Sequence, residues 1–355
     1  MYNYLKKNKK LSGHIIDLKD YSLSNNNISD EYGSLLKRIS KRKIFELISQ
    51  YPDYQYNKLT KAVKDFFNIN NVVLRSGSED LTIRINLILK NSNGFAILYP
   101  NFYRIAETTG KHKKIYTTYK LTSTVLDIEP LRKQIFKNNI KTIWISNPNP
   151  IIGKVYEKRH LVEIIKKNKK ILFILDESAI DFMDNINNYS VIDLSQKVNN
   201  LVVIRSFSKL YSLAGLRAGF ATGRTKILEN IKRIGPTFPI NNFADYFIRK
   251  ILKKKNIISG IKKRIQEHKR LIKKILSQNP NIIFSDSDTN CLFFGCSDMD
   301  IFSELLKFGI ISLKLDEQPG VREKNFVRIT IHSSKVLHKN LSIQLSRFIN
   351  KYKKC

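Results

Sequence analysis

The order of its apolar runs constrains most strongly what this chain can fold into. Four runs rich in Ile, Leu, Val and Phe occupy residues 95–99, 142–145, 171–175 and 201–204. Helical patterns separate some of them, at residues 123–137 and 157–167. This alternation predicts an α/β fold with a mostly parallel sheet whose strands are buried on both faces and covered by helices.

The C-terminal third predicts a second, smaller unit. A long helical region spans residues 242–276. After it come strand patterns at residues 281–284, 291–294 and 326–331 and helical patterns at 299–308 and 336–350. We therefore predict a smaller α+β C-terminal domain at residues 241–355, a large domain at 35–240, and an N-terminal arm at 1–34 that contributes to the small domain.

Composition limits the partners of the chain. The net charge of +33 favours polyanions, but lysine is spread along the whole sequence, and the most basic stretch, residues 249–274, keeps helical apolar spacing. A solvated helix face explains that stretch better than a nucleic-acid site, so we do not expect nucleic acid as a partner. The three cysteines support neither a disulfide framework nor a metal site. With no run of membrane-spanning length, we expect a cytoplasmic protein without a membrane partner.

One segment carries a specific chemistry. The sequence S-F-S-K-L-Y-S-L-A-G-L-R directly follows the run at 201–204, and it places Lys209 beside Ser206 and Ser208 and eight residues before Arg217. A lysine amine can form a Schiff base with an aldehyde, and serine and arginine side chains bind phosphate. These are the groups that hold pyridoxal 5′-phosphate (PLP). The alternative is a strand followed by a solvated loop.

This segment resembles the lysine motif of the class I and II aminotransferase superfamily. The chain is most similar to the branch that contains histidinol-phosphate aminotransferases and threonine-phosphate decarboxylases, in collinear order from Tyr51 to Arg328. The resemblance implies a fold type I enzyme with PLP bound by the large domain and a Schiff base on Lys209. The implied reaction is transamination of a small amino acid or amino alcohol, with or without a phosphate group, by exchange between an amino donor and a keto acceptor.

Two further residues follow predicted strands. Asp176 ends the run at 171–175, where ligands bind in open α/β sheets. The resemblance implies that its carboxylate keeps the pyridine nitrogen of PLP protonated; the alternative is a helix N-cap. The sequence S-N-P-N-P-I-I-G at 146–153 is similar to the family's N-P-N-N-P-T-G, which implies that Asn149 donates to the phenolic oxygen of PLP. Because one inserted residue must be assumed, Asn147 is the second choice, and a simple turn is the alternative.

The turn at residues 75–81 is similar to the family's phosphate-binding turn. It contains Gly77, Ser78 and Glu79 at the start of a helical pattern. A helix N-terminus offers free N–H groups to an anion, although the same residues also form an ordinary helix cap. The resemblance implies a phosphate site made of Ser78, Ser206, Ser208 and Arg217.

Two residues at the ends of the resemblance imply a partner subunit and a substrate contact. The sequence Y-P-D at Tyr51 resembles a family element whose tyrosine reaches the cofactor phosphate of the partner subunit. This implies a homodimer with shared active sites, and a tyrosine before a turn is the alternative. Arg328 matches the family arginine that binds the substrate α-carboxylate. Its alternative is a surface arginine on an amphipathic strand.

Three positions depart from the family. Ala179 replaces an aromatic residue that contacts the phenolic oxygen of PLP, and Leu313 replaces an arginine that assists substrate binding. By count Ile105 replaces the aromatic residue that stacks on the pyridine ring, so that either Phe102 or Tyr103 takes over or the ring rests on aliphatic carbon. These changes keep two alternatives open, α-decarboxylation of a phosphoamino acid and a non-catalytic protein with the same fold.

Overall fold

A computed structural model describes residues 19–21, 30–90, 94–137, 139–224, 226–285, 287 and 289–352. The β-strands are, in chain order, β1 (Lys19–Asp20), β2 (Val73–Arg75), β3 (Phe95–Tyr99), β4 (Lys113–Tyr116), β5 (Thr142–Ser146), β6 (Leu172–Asp176), β7 (Leu201–Ser206), β8 (Gly219–Gly223), β9 (Ile283–Ser285), β10 (Cys291–Gly295), β11 (Ile310–Ile311), β12 (Leu313–Lys314) and β13 (Phe326–Thr330).

The α-helices are α1 (Asp30–Lys37), α2 (Lys41–Ser49), α3 (Asn57–Phe67), α4 (Ser78–Ile88), α5 (Tyr103–Thr109), α6 (Glu129–Lys137), α7 (Lys158–Lys167), α8 (Lys226–Arg233), α9 (Asn242–Leu252), α10 (Lys255–Leu276), α11 (Ile301–Lys307) and α12 (Lys335–Tyr352). Among the described residues, no helix is both long and apolar enough to cross a membrane.

Seven strands form the central sheet in the order β2-β8-β7-β6-β5-β3-β4. Only β8 runs antiparallel to its neighbours, β7 and β2, while the other pairs are parallel. Every residue of β3, β5 and β7 is buried, which is why their sequences are apolar without alternation. The predicted fold, a mostly parallel sheet covered by helices, is confirmed.

The register of the sheet brings three strand ends together. Ser146 of β5 lies opposite Asp176 of β6, and Asp176 lies opposite Ile204 of β7. The carboxyl ends of these parallel strands therefore form one edge, and residues that directly follow β5, β6 and β7 are neighbours there. This edge is where an open α/β sheet binds its ligands.

A second, smaller sheet has the antiparallel order β12-β13-β10-β9. Near it, β1 pairs in parallel with β11. Tyr21 extends this contact, since its N–H donates to Ile311 (2.8 Å) and its carbonyl accepts from Thr330 (2.7 Å). The first described residues of the chain thus pack with its last third. The domain boundaries at residues 35 and 241 stay predictions.

The helical region predicted at 242–276 is confirmed, and the helix predicted at 123–137 is wrong in part. The helix predicted at 123–137 begins only at Glu129, because Val125 forms a β-bridge with Val155 and the Asp127 carboxylate accepts the Glu129 N–H (2.9 Å). The helical region at 242–276 is two helices, α9 and α10, that meet at residues 253–254. One basic residue of that region, Lys269, is buried rather than solvated.

Candidate active site

A cavity of about 300 Å³ opens at the carboxyl edge of the central sheet. The predicted site residues in its wall are Ser78, Glu79, Phe102, Asn149, Asp176, Ser206, Ser208, Lys209 and Arg217. They come from separate parts of the chain, and the shared edge of β5, β6 and β7 explains why they meet.

Lys209 and Asp176 face the same cavity and influence each other electrostatically. Burial lowers the pKa of Lys209, the Arg328 guanidinium lowers it further, and the Asp176 carboxylate acts in the opposite direction. Burial raises the pKa of Asp176, against the hydrogen bonds that its Oδ1 accepts from the Ser178 hydroxyl (2.5 Å) and N–H (2.9 Å). The lowered pKa shifts Lys209 toward its neutral amine, which is its nucleophilic form.

The predicted phosphate site forms around the start of α4. Gly77 precedes this helix with φ of 93°, and a Cβ atom at that position would lie 3.0 Å from Nη2 of Arg217. Glycine is therefore favoured by its backbone conformation, and a side chain here would also require the end of Arg217 to shift by a few tenths of an ångström. The first N–H groups of α4, the Arg217 guanidinium and the hydroxyls of Ser206 and Ser208 border the same space, and each of these groups donates hydrogen bonds to anions.

The structure separates the two asparagines considered for the cofactor. Asn147 is fully buried and does not line the cavity. Its Nδ2 donates to the carbonyls of Tyr156 and Tyr189 (3.1 Å each), and its Oδ1 accepts from the Tyr156 N–H (2.8 Å). Asn149 lies in the wall, where its Nδ2 donates to Pro100 (2.6 Å). An amide nitrogen carries two hydrogens, so Asn149 keeps one for a ligand.

The aromatic positions show how the chain departs from the family pattern. Phe102 lies in the cavity wall, whereas Tyr103 is exposed and Ile105 is buried in the apolar layer with Leu81 and Trp144. Of the two aromatic candidates, Phe102 is the one that reaches the cavity. Ala179 also borders the cavity and contributes no hydroxyl there.

Arg328 and Leu313 belong to the small sheet. They are directly opposite each other on β13 and β12, so the apolar side chain stands beside the buried guanidinium. Arg328 donates to the Pro150 carbonyl of the cavity wall and lowers the pKa of Lys209. Lys314 is opposite Val327 and acts on Asp300 instead. Lys314 therefore does not replace the missing arginine.

Tyr51 does not line this cavity. Its side chain is 84% exposed, and its ring lies 5.1 Å from the ring of Phe238. Within a single chain the structure does not bring Tyr51 to the other site residues.

Sequence reasoning missed part of the wall. Thr289, Asn290 and Cys291 line the cavity at the start of β10, and the Cys291 thiol contributes to the electrostatics of Lys209. These residues reach the site only because the small sheet packs over the edge of the central sheet. No local pattern marks them, since Cys291 reads as the first residue of an ordinary buried strand.

Comparison with known proteins identifies the class. The sequence profile described as aminotransferase class I and II matches residues 19–342. The chain belongs to this family, and it is a PLP-dependent aminotransferase of fold type I, as its sequence predicts.

Individual relatives agree with this assignment. A histidinol-phosphate aminotransferase of Pelagibacter ubique (strain HTCC1062) is 31% identical over 84% of both chains. The solved histidinol-phosphate aminotransferase from Sinorhizobium meliloti in complex with pyridoxal-5′-phosphate is similar with a TM-score of 0.80 and 17% identity, over 98% of this chain and 94% of that one. The L-threonine-O-3-phosphate decarboxylase from Porphyromonas gingivalis has a TM-score of 0.73 and 16% identity, over 93% and 99%.

The residues present fit PLP. Asp176 is a buried carboxyl whose pKa is raised, so a cationic ring nitrogen beside it would stabilise its ionised form. The donors around Gly77 fit a phosphate, and the amine of Lys209 fits an aldehyde. The cavity therefore offers a complementary group to each reactive part of the cofactor.

Proposed function

We propose that this enzyme transaminates a small amino acid or amino alcohol that carries a phosphate group, with Lys209 as the residue that binds the cofactor and moves the proton. The observation that carries the proposal is the presence of Lys209, Asp176 and the anion-binding turn at Gly77 around one cavity, with Arg328 near Lys209. PLP, when bound, supplies an aldehyde for the substrate amine and a protonated ring that draws electrons from the substrate Cα.

The protein's own groups would then act as follows. Lys209, whose lowered pKa favours the neutral amine, would take the proton from the substrate Cα and deliver it to the cofactor carbon that carries the aldehyde. Asp176 holds a proton on the ring nitrogen, Asn149 donates to the phenolic oxygen, and Phe102 covers the ring. The turn at Gly77, together with Ser206, Ser208 and Arg217, binds the cofactor phosphate.

An anionic substrate suits the rest of the cavity. Arg328 is buried close to Lys209, and a guanidinium there attracts a carboxylate or phosphate to the reacting amine. The net charge of +33 attracts anions to the whole molecule. The relatives named as histidinol-phosphate aminotransferases support a phosphorylated substrate, since they are similar over most of their length.

The test is the visible absorption of the PLP-loaded enzyme on mixing with a panel of amino acids, amino alcohols and their phosphate esters. We expect a phosphate ester to convert the bound cofactor to pyridoxamine phosphate faster than its unphosphorylated parent does. Consumption of a phosphoamino acid with the cofactor absorption preserved would instead establish decarboxylation. Equal rates with and without phosphate would refute the substrate class.

We also propose that the enzyme is a cytoplasmic homodimer in which Tyr51 completes the site of the partner. An exposed apolar surface around Tyr51 supports this, because monomers rarely leave such patches in water. Phe45 and Ile48 on α2 are 69% and 67% exposed, and Tyr54 and Phe238 continue the patch.

Mixed dimers test the shared site. Tyr51→Ala and Lys209→Ala chains are each expected to be inactive or weak, but co-expressed chains should regain activity because one of the two sites then has both residues. Mixed dimers no more active than the parent variants would rule out Tyr51 acting across the interface. A monomer in light scattering would contradict the dimer itself.

A further inference from the structure

A second cavity, of about 600 Å³, lies beyond the edge strand β2 and shares no lining residue with the active-site cavity of the same chain. Its wall contains three cations, Arg75, Lys232 and Arg233. Among the described residues that line it there is no Asp or Glu. A cavity with this balance of charge attracts anions, and the roles proposed above for the active site do not use it.

Arg75 is the buried cation of this cavity, with 7% of its surface exposed. Nη1 donates to the Leu74 carbonyl (2.8 Å) and Nη2 donates to Ile231 at the end of α8. Nε has no hydrogen-bond partner among the described residues. The acid that acts on it, Asp80, is bound to Arg84 at 2.9 Å. No carboxylate of the described residues contacts the buried guanidinium, and burying an unpaired charge is costly.

The other two cations have no competing partner in the part of the chain that the structure describes. Lys232 and Arg233 lie in the last turn of α8, are exposed, and form no ion pair with a described residue. A role of Arg75 in capping the end of α8 explains the contact of Nη2 with the Ile231 carbonyl. It does not explain why three cations surround one cavity that no described acid lines.

We propose that this cavity binds a phosphate-type oxyanion between the buried fork of Arg75 and the flexible cations Lys232 and Arg233. Nε and the second hydrogen of an Nη group are the donors of Arg75 that remain for two oxygens of one tetrahedral anion, and three cations suit an anion of more than one charge. The ligand would lie close to the cofactor turn, because the Arg75 carbonyl accepts the Gly77 N–H (2.6 Å). The site does not depend on the proposed substrate of the enzyme.

Calorimetric titration of inorganic pyrophosphate into the PLP-loaded protein tests the site, since the cofactor then fills its own phosphate site. We compare the double variant Lys232→Gln/Arg233→Gln with Arg224→Gln/Lys226→Gln, which removes the same two charge types outside the cavity. The cavity variant should bind about tenfold more weakly, and the control should change by less than about twofold. Arg75→Leu should lose the saturable binding.

Three results would overturn the site. Equal losses in the two double variants mean diffuse attraction by a basic surface, and unchanged affinity in the cavity variant means that pyrophosphate binds elsewhere. Absence of saturable binding in the unmodified protein removes the site altogether. If Arg75→Leu fails to fold, the two double variants still decide, because their residues are exposed. Turnover is not measured, so these results are independent of the reaction proposed above.

Discussion

The two walls of the active-site cavity differ in origin and in chemistry. The central-sheet wall contributes Asp176, Ser206 and Lys209, which end or closely follow buried parallel strands. From the small sheet come Cys291 in the wall itself and Arg328, which reaches it through the Pro150 carbonyl. The central-sheet wall keeps the polar side chains that the family resemblance implies. The exception is Ala179, which lacks the aromatic side chain that contacts the phenolic oxygen of PLP in the family. On the small-sheet side, Leu313 now stands where the family has an arginine.

This difference follows from what each wall must contact. A cofactor presents the same atoms in every family member, so its partners are fixed in type and position. A substrate varies, and the groups that face it vary with it. Leu313 beside Arg328 leaves one guanidinium in the place of two. We infer that the central-sheet wall holds the cofactor and that the small-sheet side sets substrate preference, and the four predictions below test that division.

The largest effect is expected at Lys209. Lys209→Ala should lower turnover by at least about 10⁴-fold, because it removes both the covalent attachment and the proton carrier. The visible absorption of lysine-bound cofactor should vanish while the circular dichroism and melting temperature persist. Lys197→Ala, an exposed lysine outside the cavity, is the matched control and should behave as the unmodified enzyme. Substantial residual turnover in Lys209→Ala would contradict the assignment.

Asp176 should give the next largest effect. Asp176→Asn removes the negative charge beside the ring nitrogen and should lower kcat by about 10²–10³-fold. Ser178→Ala removes only the hydroxyl that donates to Asp176, so its loss should be much smaller. Stopped-flow kinetics of a single half-reaction measures both. If the two variants lose the same rate, the carboxylate acts through local structure rather than through its charge.

The same division explains what could be predicted from the sequence. Asp176 and Lys209 were predictable because each adjoins a buried apolar run, and parallel register brings such strand ends to one edge. Thr289, Asn290 and Cys291 were not, because their place in the wall depends on the packing of two sheets. Local propensity also failed at residues 123–128, where a bridge to Val155 replaces helix. In both failures, at residues 289–291 and at 123–128, contacts between residues far apart in the sequence decided the structure.

The small-sheet side should affect substrate binding more than chemistry. Arg328→Lys keeps the charge but loses the two-pronged geometry, and it should raise KM for an anionic substrate by about tenfold with a smaller change in kcat. Lys314→Gln, on the neighbouring strand but opposite Val327, should leave KM unchanged. A loss confined to kcat would place Arg328 with the cofactor wall and break the comparison.

The smallest effect concerns the helices of the C-terminal part, and it appears in stability rather than rate. The rings of His268 on α10 and His338 on α12 stack with centroids 3.8 Å apart, and His268 Nδ1 donates to the His332 carbonyl (2.8 Å). Burial and the neighbouring His268 ring lower the pKa of His338 to about 4. Burial also lowers the pKa of His268, with Arg264 and Lys335 acting in the same direction and Glu267 against it.

A histidine of the unfolded chain binds a proton below about pH 6.5, whereas the same histidine in the folded protein, with its lowered pKa, stays neutral. The fold is therefore most stable above about pH 6.5, and stability is lost as the pH falls toward the pKa of the folded protein. Because His338 is only half-buried and solvent screens its charge, urea unfolding of the unmodified protein between about pH 7 and about pH 5 should lose roughly 0.5–1 kcal/mol more than that of His338→Gln. Equal losses would mean that the pair does not couple the two helices. The stability falls because two neutral rings can stack at 3.8 Å, whereas two cations repel each other. If the spectrum of the lysine-bound cofactor stays constant over the same pH range, the effect is confined to the small-sheet side.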